Sequence, residues 1–335
     1  MKNLIKESLR ISLLTVIAIS FIWDISLAQP KDWPRNVTIS TGSLGGVAYI
    51  HGGGVARIIY EKMGISATAV TSGGSVHNVK LANLKESTFG SSHAASAYDG
   101  WNGLDWAKGT KFQDIRALFH QYDTFIQLYS LKKSGIKTIY DLNGKGLGVG
   151  PLGGFPHIFF PQVLPGLGIK PSRYLNASIS DLDTQLRDGL IDANANITGM
   201  PWVMIKETES VHDVNVFGIT KKEFQKVEKL IERYPFVGSR IIPRGTYKGN
   251  RDSDIETLTI GSFYYTHKDT PEDFVYEVVK KVNENVDILI ATTPAAKGEK
   301  PESVVEYSPI PLHPGAIKYY RERGMKIPDR LVPAR

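Results

Sequence analysis

The stretch VTISTGSLGGVAYIHGGGVARIIYEKM (Val37–Met63) reads as a β-strand, a glycine-rich turn and an α-helix in succession. Val37 to Thr41 is the strand and GSLGG (Gly42 to Gly46) the turn. Val55, Ile58, Ile59 and Met63 then recur at spacings of three and four, the period of one helical face. The order repeats at once. Ala67 to Thr71 is strand-like, SGGS (Ser72 to Ser75) is a turn, and Val76, Val79 and Leu84 predict a helix face. A third round runs through Thr88 to Ser91 and then SHAASAYDG (Ser92 to Gly100). Alternation of this kind predicts an α/β fold whose sheet is largely parallel.

Outward from there, a second block starts near Leu128. Ile136 to Leu142 reads as a helical turn or two, Gly146 to Gly150 as a short strand, and GPLGGFP (Gly150 to Pro156) leads into another helix. Ser180 is the expected cap of a helix carrying Leu182 and Leu186 and stopped by Gly189, with Leu190 to Ala195 continuing as a strand. Val214 to Ile219 and a helix around Phe224, Val227, Leu230 and Ile231 complete the block. Arg244 to Asp254, polar and rich in Gly and Arg, reads as a crossing segment before a strand over Ile255 to Thr266. Val275, Val278, Val279, Val282, Val286 and Leu289 then mark an amphipathic helix.

The 335 residues suggest about two domains. With 41% apolar and 22% charged residues the chain can bury a sizeable core. It contains no cysteine, which excludes a disulfide scaffold, thiolate metal sites, cysteine nucleophiles and a lipoprotein anchor. A net charge of +6, spread along the chain, argues against a nucleic-acid surface. At the start, Lys2, Lys6 and Arg10 precede an apolar run from Ile11 to Ile22, too short for a typical membrane span, and Ser26-Leu27-Ala28 follows. Residues 1–28 are therefore expected to be a signal peptide cleaved after Ala28, placing the mature protein in the periplasm with a charge of +5. Mass spectrometry of the periplasmic protein should find Gln29 at its N-terminus; an intact Met1 would overturn this.

A strand that ends in Gly and Ser and opens a helix presents unpaired N–H groups and the positive end of the helix dipole, a setting that favours an anion. A single such turn can merely allow a tight bend. Four in one chain point to a ligand cleft. Enzyme motifs fail by contrast. The first turn is Gly42-x-x-Gly45-Gly46 and the second strand ends at Thr71, so no dinucleotide fingerprint exists. No Walker lysine follows a glycine loop, and no nucleophile elbow occurs. The eight histidines lack metal-binding spacing, so neither a metal nor a cofactor is expected. His51, His77 and His93 lie beside glycine turns, where they can line the cleft or face solvent. Asp181 and Asp183 read as first-turn helix residues and so as structural.

In order along the chain, these turns resemble the TAXI family, the solute-binding subunits of one class of tripartite ATP-independent periplasmic (TRAP) transporters. The matching residues are Ile39 to Ile59, Thr71 to Leu81, AYDGWNG (Ala97 to Gly103), IRALF (Ile115 to Phe119) and Ser134 to Gly154. LRDGLIDA (Leu186 to Ala193), YPF (Tyr234 to Phe236), GTYKG (Gly245 to Gly249) and PLHPGAIKYYRERG (Pro311 to Gly324) continue the match. The resemblance implies a two-lobed type II periplasmic binding protein fold, with the ligand in the cleft between lobes. Lobe 1 would be residues 37–125 plus 255–335 and lobe 2 residues 126–254. It also implies capture of a small organic acid and delivery to integral membrane subunits, without catalysis. A sensory partner, or an exported hydrolase on the same fold, are the other readings.

On this basis the ligand contacts expected from the first lobe are Thr41, Ser43, Leu44, Gly45, Gly46 and Tyr49, then Gly74, Ser75 and Asn78, then Ser91, Ser92 and Tyr98. The second lobe would supply Leu152, Gly153, Gly154, Phe155, Asn194, Thr198 and Gly199. The family usually has a Gly-Ser-Gly-Thr-like turn where this chain reads Gly153-Gly154-Phe155-Pro156. Loss of two hydroxyls there implies a cleft that prefers a monocarboxylate with an apolar body, unless Phe155 turns away into the core.

Overall fold

The computed structural model describes residue 30 and residues 32–334, so the expected signal peptide lies outside the described residues. Every helix and strand described belongs to one unit, Arg35–Arg335. It opens with β1 (Asn36–Ser40), α1 (Val47–Met63), β2 (Ser66–Val70), α2 (Ser75–Asn83), β3 (Phe89–His93) and α3 (Ala94–Asn102). The long β4 (Ile115–Leu131) leads to β5 (Gly146–Gly148), α4 (Phe155–Gly166), β6 (Arg173–Leu175), α5 (Ile179–Arg187) and β7 (Ala193–Thr198). Then come α6 (Val203–Val211), β8 (Val214–Phe217), α7 (Lys221–Phe224), α8 (Glu228–Arg233) and β9 (Gly238–Ile242). The chain continues through β10 (Ile255–His267), α9 (Glu272–Glu284), α10 (Val286–Thr292), α11 (Pro301–Tyr307) and α12 (Pro314–Glu322).

The strands form one sheet in the order β2-β1-β3-β10-β4-β7-β5-β6, with β8 on β4 and β9 on β10. Parallel pairs occur only toward its two ends, β2-β1-β3 and β7-β5-β6. The middle is antiparallel, because β10 pairs β3, β4 and β9 while β4 also pairs β7 and β8. The expected largely parallel sheet therefore gives way to a mixed one. At Phe125 and Thr259, which pair with each other, both long strands change partners. β4 leaves β10 for β7, and β10 has just left β9 for β4. Arg244 to Asp254 is not a crossing segment. It closes the antiparallel β9–β10 pair, in which Ile242 faces Ile255.

Apolar spacing placed most elements correctly. On α1, Val55, Ile58 and Ile59 are buried, and on α9 Val275, Val278, Val279 and Val282 are buried. Phe274 stacks on Phe89 with ring centroids 5.9 Å apart. On α5, Leu182 and Leu186 pack with Tyr129, Trp202 and Ile205. Four expectations shift. The α5 cap is Ser178, whose hydroxyl accepts from the Asp181 N–H, not Ser180. Leu84 follows the end of α2 and is exposed. The helix around Phe224 breaks at Val227 into α7 and α8, and the C-terminal valine helix breaks at Asn285 into α9 and α10. Asp183 is structural, as expected, but sits buried beyond the first turn, held by Tyr129 at 2.6 Å, Arg187 at 3.0 Å and Thr208.

Candidate functional site

Four helices start where a strand or turn delivers them to a common place. The residues before them, Gly46 (α1), Gly74 (α2), His93 (α3) and Gly154 (α4), make no side-chain cap bond. All four line one cavity of about 70 Å³. By that measure it has room for roughly five waters or a small organic molecule of similar bulk. Among the described residues, the N–H groups of Val47, Ala48 and Ser75 have no hydrogen-bond partner. Unpaired first-turn donors and four converging helix dipoles make the cavity electropositive without any cationic side chain.

The walls meet across direct bonds. Gly153 O accepts from the N–H of Val76 at 3.0 Å and of His77 at 3.4 Å. Ser75 Oγ accepts from the Phe155 N–H at 3.1 Å, and Ser43 Oγ from the Ile179 N–H at 3.3 Å. His93 Nε2 donates to Ile197 O at 2.9 Å. The turns are pressed backbone to backbone: a Cβ on Gly74 would lie 2.9 Å from Gly154 Cα, and one on Gly153 would lie 2.8 Å from Gly73 O.

Of the residues expected from the sequence, Thr41, Ser43, Gly46, Gly74, Ser75, Ser91, Ser92, Gly154, Phe155 and Thr198 line this cavity. The others do not, for readable reasons. Leu44 and Leu152 are at turn tips and exposed. Gly45 packs toward Met204, and Gly153 meets the opposing Gly73. Tyr49, on the first turn of α1, is half-buried and lies outside the lining. Asn78 is buried behind the wall, where Nδ2 bridges Thr41 O and Ser91 O. Tyr98 packs edge-on against Phe236 at 5.6 Å. Asn194 lies one pleat too early on β7; its Nδ2 donates to Tyr129 Oη at 3.1 Å beside a separate void of about 10 Å³. Gly199 is packed against Val47 and Ala295, and its carbonyl accepts from Gln127.

The sequence reading missed Tyr122 and Thr124 on β4, Ser262 on β10, Ile179, and Asn196 and Ile197 on β7. Almost every residue of β4, β7 and β10 is buried, so alternation gives no signal of which face is wall. His93 lines the cavity, whereas His51 is buried and bonded to Tyr264 and Glu299, and His77 is exposed.

Among the described residues, no Asp, Glu, Lys or Arg lines the cavity. Burial pushes the pKa of His93 down from 6.5 to about 4, so its ring is neutral near pH 7. Phe155 lines the cavity, yet its ring is wholly buried among His93, Phe159 and Tyr234 at centroid distances of 5.7–5.8 Å. Among the described residues no group of three His, Cys, Asp or Glu side chains could hold a metal ion. No helix described is long and apolar enough to cross a membrane.

Residues 39–324 match the family model described as NMT1-like. Among solved structures, the periplasmic binding protein BugD is similar at 12% identity and a TM-score of 0.56, over 87% of this chain and 94% of that one. MatC from Rhodopseudomonas palustris, with bound malate, is similar at 10% identity and 0.56, over 87% and 98%. A periplasmic transporter matches at 11% identity and 0.53, over 90% and 100%. At such identities the likeness concerns the fold, which is the α/β fold of periplasmic binding proteins.

Proposed function

Because the chain belongs to the NMT1-like family, we propose that it is an extracytoplasmic solute-binding protein that captures a small organic anion for a membrane transporter. The observation that carries this is the convergence of four helix N-termini, with the Val47, Ala48 and Ser75 N–H groups unpaired, on one cavity with no charged side chain. Such a site holds a carboxylate with backbone and hydroxyl donors. It offers no nucleophile–base pair, so the reading is capture, not catalysis. The resemblance to TAXI subunits makes a TRAP-type partner the expected recipient. The two lobes would be residues 37–125 plus 255–335 and residues 126–254. The exchange of strand partners at Phe125 and Thr259 supports that division, since a hinge there bends both long strands where their ladders change.

A thermal-shift screen of monocarboxylates, dicarboxylates, keto acids and amino acids tests the reading. Stabilisation by at least one anionic class is expected, and none by neutral sugars. The Phe155 ring is packed among His93, Phe159 and Tyr234, the arrangement under which the apolar-body preference expected from the sequence loses its support.

Ser75 gives a sharper check. Its Oγ accepts from the Phe155 N–H and from Ser96 Oγ, so its own proton is free for a ligand oxygen. Ser75→Ala should weaken binding by about 1.5–3 kcal/mol by calorimetry, from the lost charge-assisted bond and the orphaned Phe155 N–H. Unchanged affinity in Ser75→Ala and Ser43→Ala together would mean that this cavity is not the site.

A further inference from the structure

The hydroxyl protons of Thr41, Ser91, Ser92, Thr124 and Ser262, which line one part of the cavity, are already engaged, whereas those of Ser43, Ser75, Tyr122 and Thr198 are not. Thr41 Oγ1 donates to Val70 O at 2.9 Å, Ser92 Oγ to Ser75 O at 2.9 Å and Thr124 Oγ1 to Ile260 O at 2.6 Å. His93 Nε2 likewise donates to Ile197 O. Backbone carbonyls only accept, so the direction of these four bonds is fixed. Ser91 and Ser262 both donate to Gln121 Oε1, at 2.7 and 2.9 Å. The amide of Gln121 is oriented in turn by Nε2 donating to Tyr264 Oη at 3.2 Å, and Tyr264 is tied to the buried His51–Glu299 pair.

What these side chains have left to offer a ligand is lone pairs. The cavity is thus divided by chemistry: helix N-termini, Ser43, Ser75, Tyr122, Asn196 Nδ2 and Thr198 can donate, while the wall of Thr41, Ser91, Ser92, Thr124 and Ser262 accepts. A plain carboxylate would leave that wall unpaired in a closed site, and a keto oxygen placed against it would meet lone pairs with a lone pair. An ammonium group would satisfy the acceptors but enter a cavity with no anionic side chain and four helix-dipole positive ends. A hydroxyl donates without charge.

From this accounting we infer that the captured solute is a hydroxy acid, recognised by its carboxylate at the helix N-termini and by its hydroxyl proton at the wall of engaged serines and threonines. This rests on the anion-capture reading above.

The test is calorimetric titration with a matched four-carbon set: 2-hydroxybutanoate, 3-hydroxybutanoate, butanoate, 2-oxobutanoate and 2-aminobutanoate, and with the corresponding six-carbon set. At least one hydroxy acid should bind about tenfold or more tighter than its plain, oxo and amino counterparts. Thr124→Val, which keeps shape but removes an acceptor, and Ser262→Ala should each narrow the ratio of hydroxy to plain acid several-fold, with melting curves confirming the fold. Gln121→Leu frees the protons of Ser91 and Ser262 and should shift preference toward the oxo acid. Equal binding across a set, or tighter binding of the oxo, plain or amino acid, overturns the hydroxyl inference while leaving anion capture standing. An unchanged ratio in both Thr124→Val and Ser262→Ala overturns it as well. Failure of every acid to bind, with neutral solutes binding instead, overturns the capture reading and this inference together.

Discussion

Gly74→Ala is expected to raise the dissociation constant of the captured solute about 100-fold or more, roughly 3 kcal/mol. Gly74 has φ +105° and ψ −164°, a region that side chains other than hydrogen avoid, at a cost of about 1–3 kcal/mol. Its new Cβ would also stand 2.9 Å from Gly154 Cα, where only backbone could move aside. The two turns would be forced apart and the Gly153 O bonds to Val76 and His77 broken. Strain and collision can be separated, because a Cβ at Gly153 collides with Gly73 O at 2.8 Å without a positive φ of its own. Gly153→Ala should therefore lose affinity with a smaller loss of ligand-free stability, read by calorimetry and denaturant melts side by side. Full affinity in both variants would show that capture does not need the turns in contact.

Asp99→Asn should stabilise the protein at pH 8 and leave it unchanged near pH 4. Asp99 is fully buried on α3, with Oδ2 accepting from Tyr234 Oη at 2.7 Å and Oδ1 unpartnered. Burial raises its pKa from 3.8 to about 7; nearby Asp105 adds to the rise, while the Tyr234 bond and Arg233 oppose it. The folded state thus holds the proton more tightly than the unfolded chain does. Stability falls as pH climbs from about 4 to about 7 and the full penalty stands above that, on the order of 4 kcal/mol at most. Asparagine keeps the acceptor for Tyr234 and never ionises. Denaturant titrations of both proteins at pH 4 and pH 8 should show a gain at the higher pH alone; equal differences at both would mean that Asp99 is not the group responsible. Comparing variant with wild type at each pH cancels the opposite trend of His93, whose depressed pKa costs stability as pH falls below 6.5.

The first two strand–turn–helix rounds were legible because β1 and β2 run into glycine turns and α1 and α2 show a one-sided apolar face. The same signals found the helix-start residues of the cavity: Gly46, Gly74, Ser75 and Gly154. Illegible were Tyr122, Thr124 and Ser262, whose strands are buried on both faces, so that no polar–apolar alternation sets cavity wall apart from core. Register on β7 was equally hidden. Asn194, Asn196 and Thr198 share one face, yet only the latter two reach the cavity. The antiparallel middle of the sheet escaped for a related reason. Nothing in the length or composition of Ile115–Leu131 announces that one continuous 17-residue strand serves three neighbours.

The exchange of partners at Phe125 and Thr259 bears on how such chains can recombine. Before that point β4 bonds β10, and beyond it β4 bonds β7 and β8. Residues 255–258 of β10 bond β9, and Thr257 Oγ1 donates to Ile126 O at 2.6 Å. A chimera that imports the segment from a homologue would thus split only two ladder pairs, Phe125 with Thr198 and Thr259 with Gly238, if joined between Phe125 and Ile126 and between Leu258 and Thr259. Joining four residues earlier, at Asp254–Ile255, would hand the foreign β9 a native partner strand and ask two unmatched edges to find register. Crossover points that preserve hydrogen-bonded pairs let ligand walls be inherited as separate halves, so new selectivities can arise by shuffling as well as by point substitution.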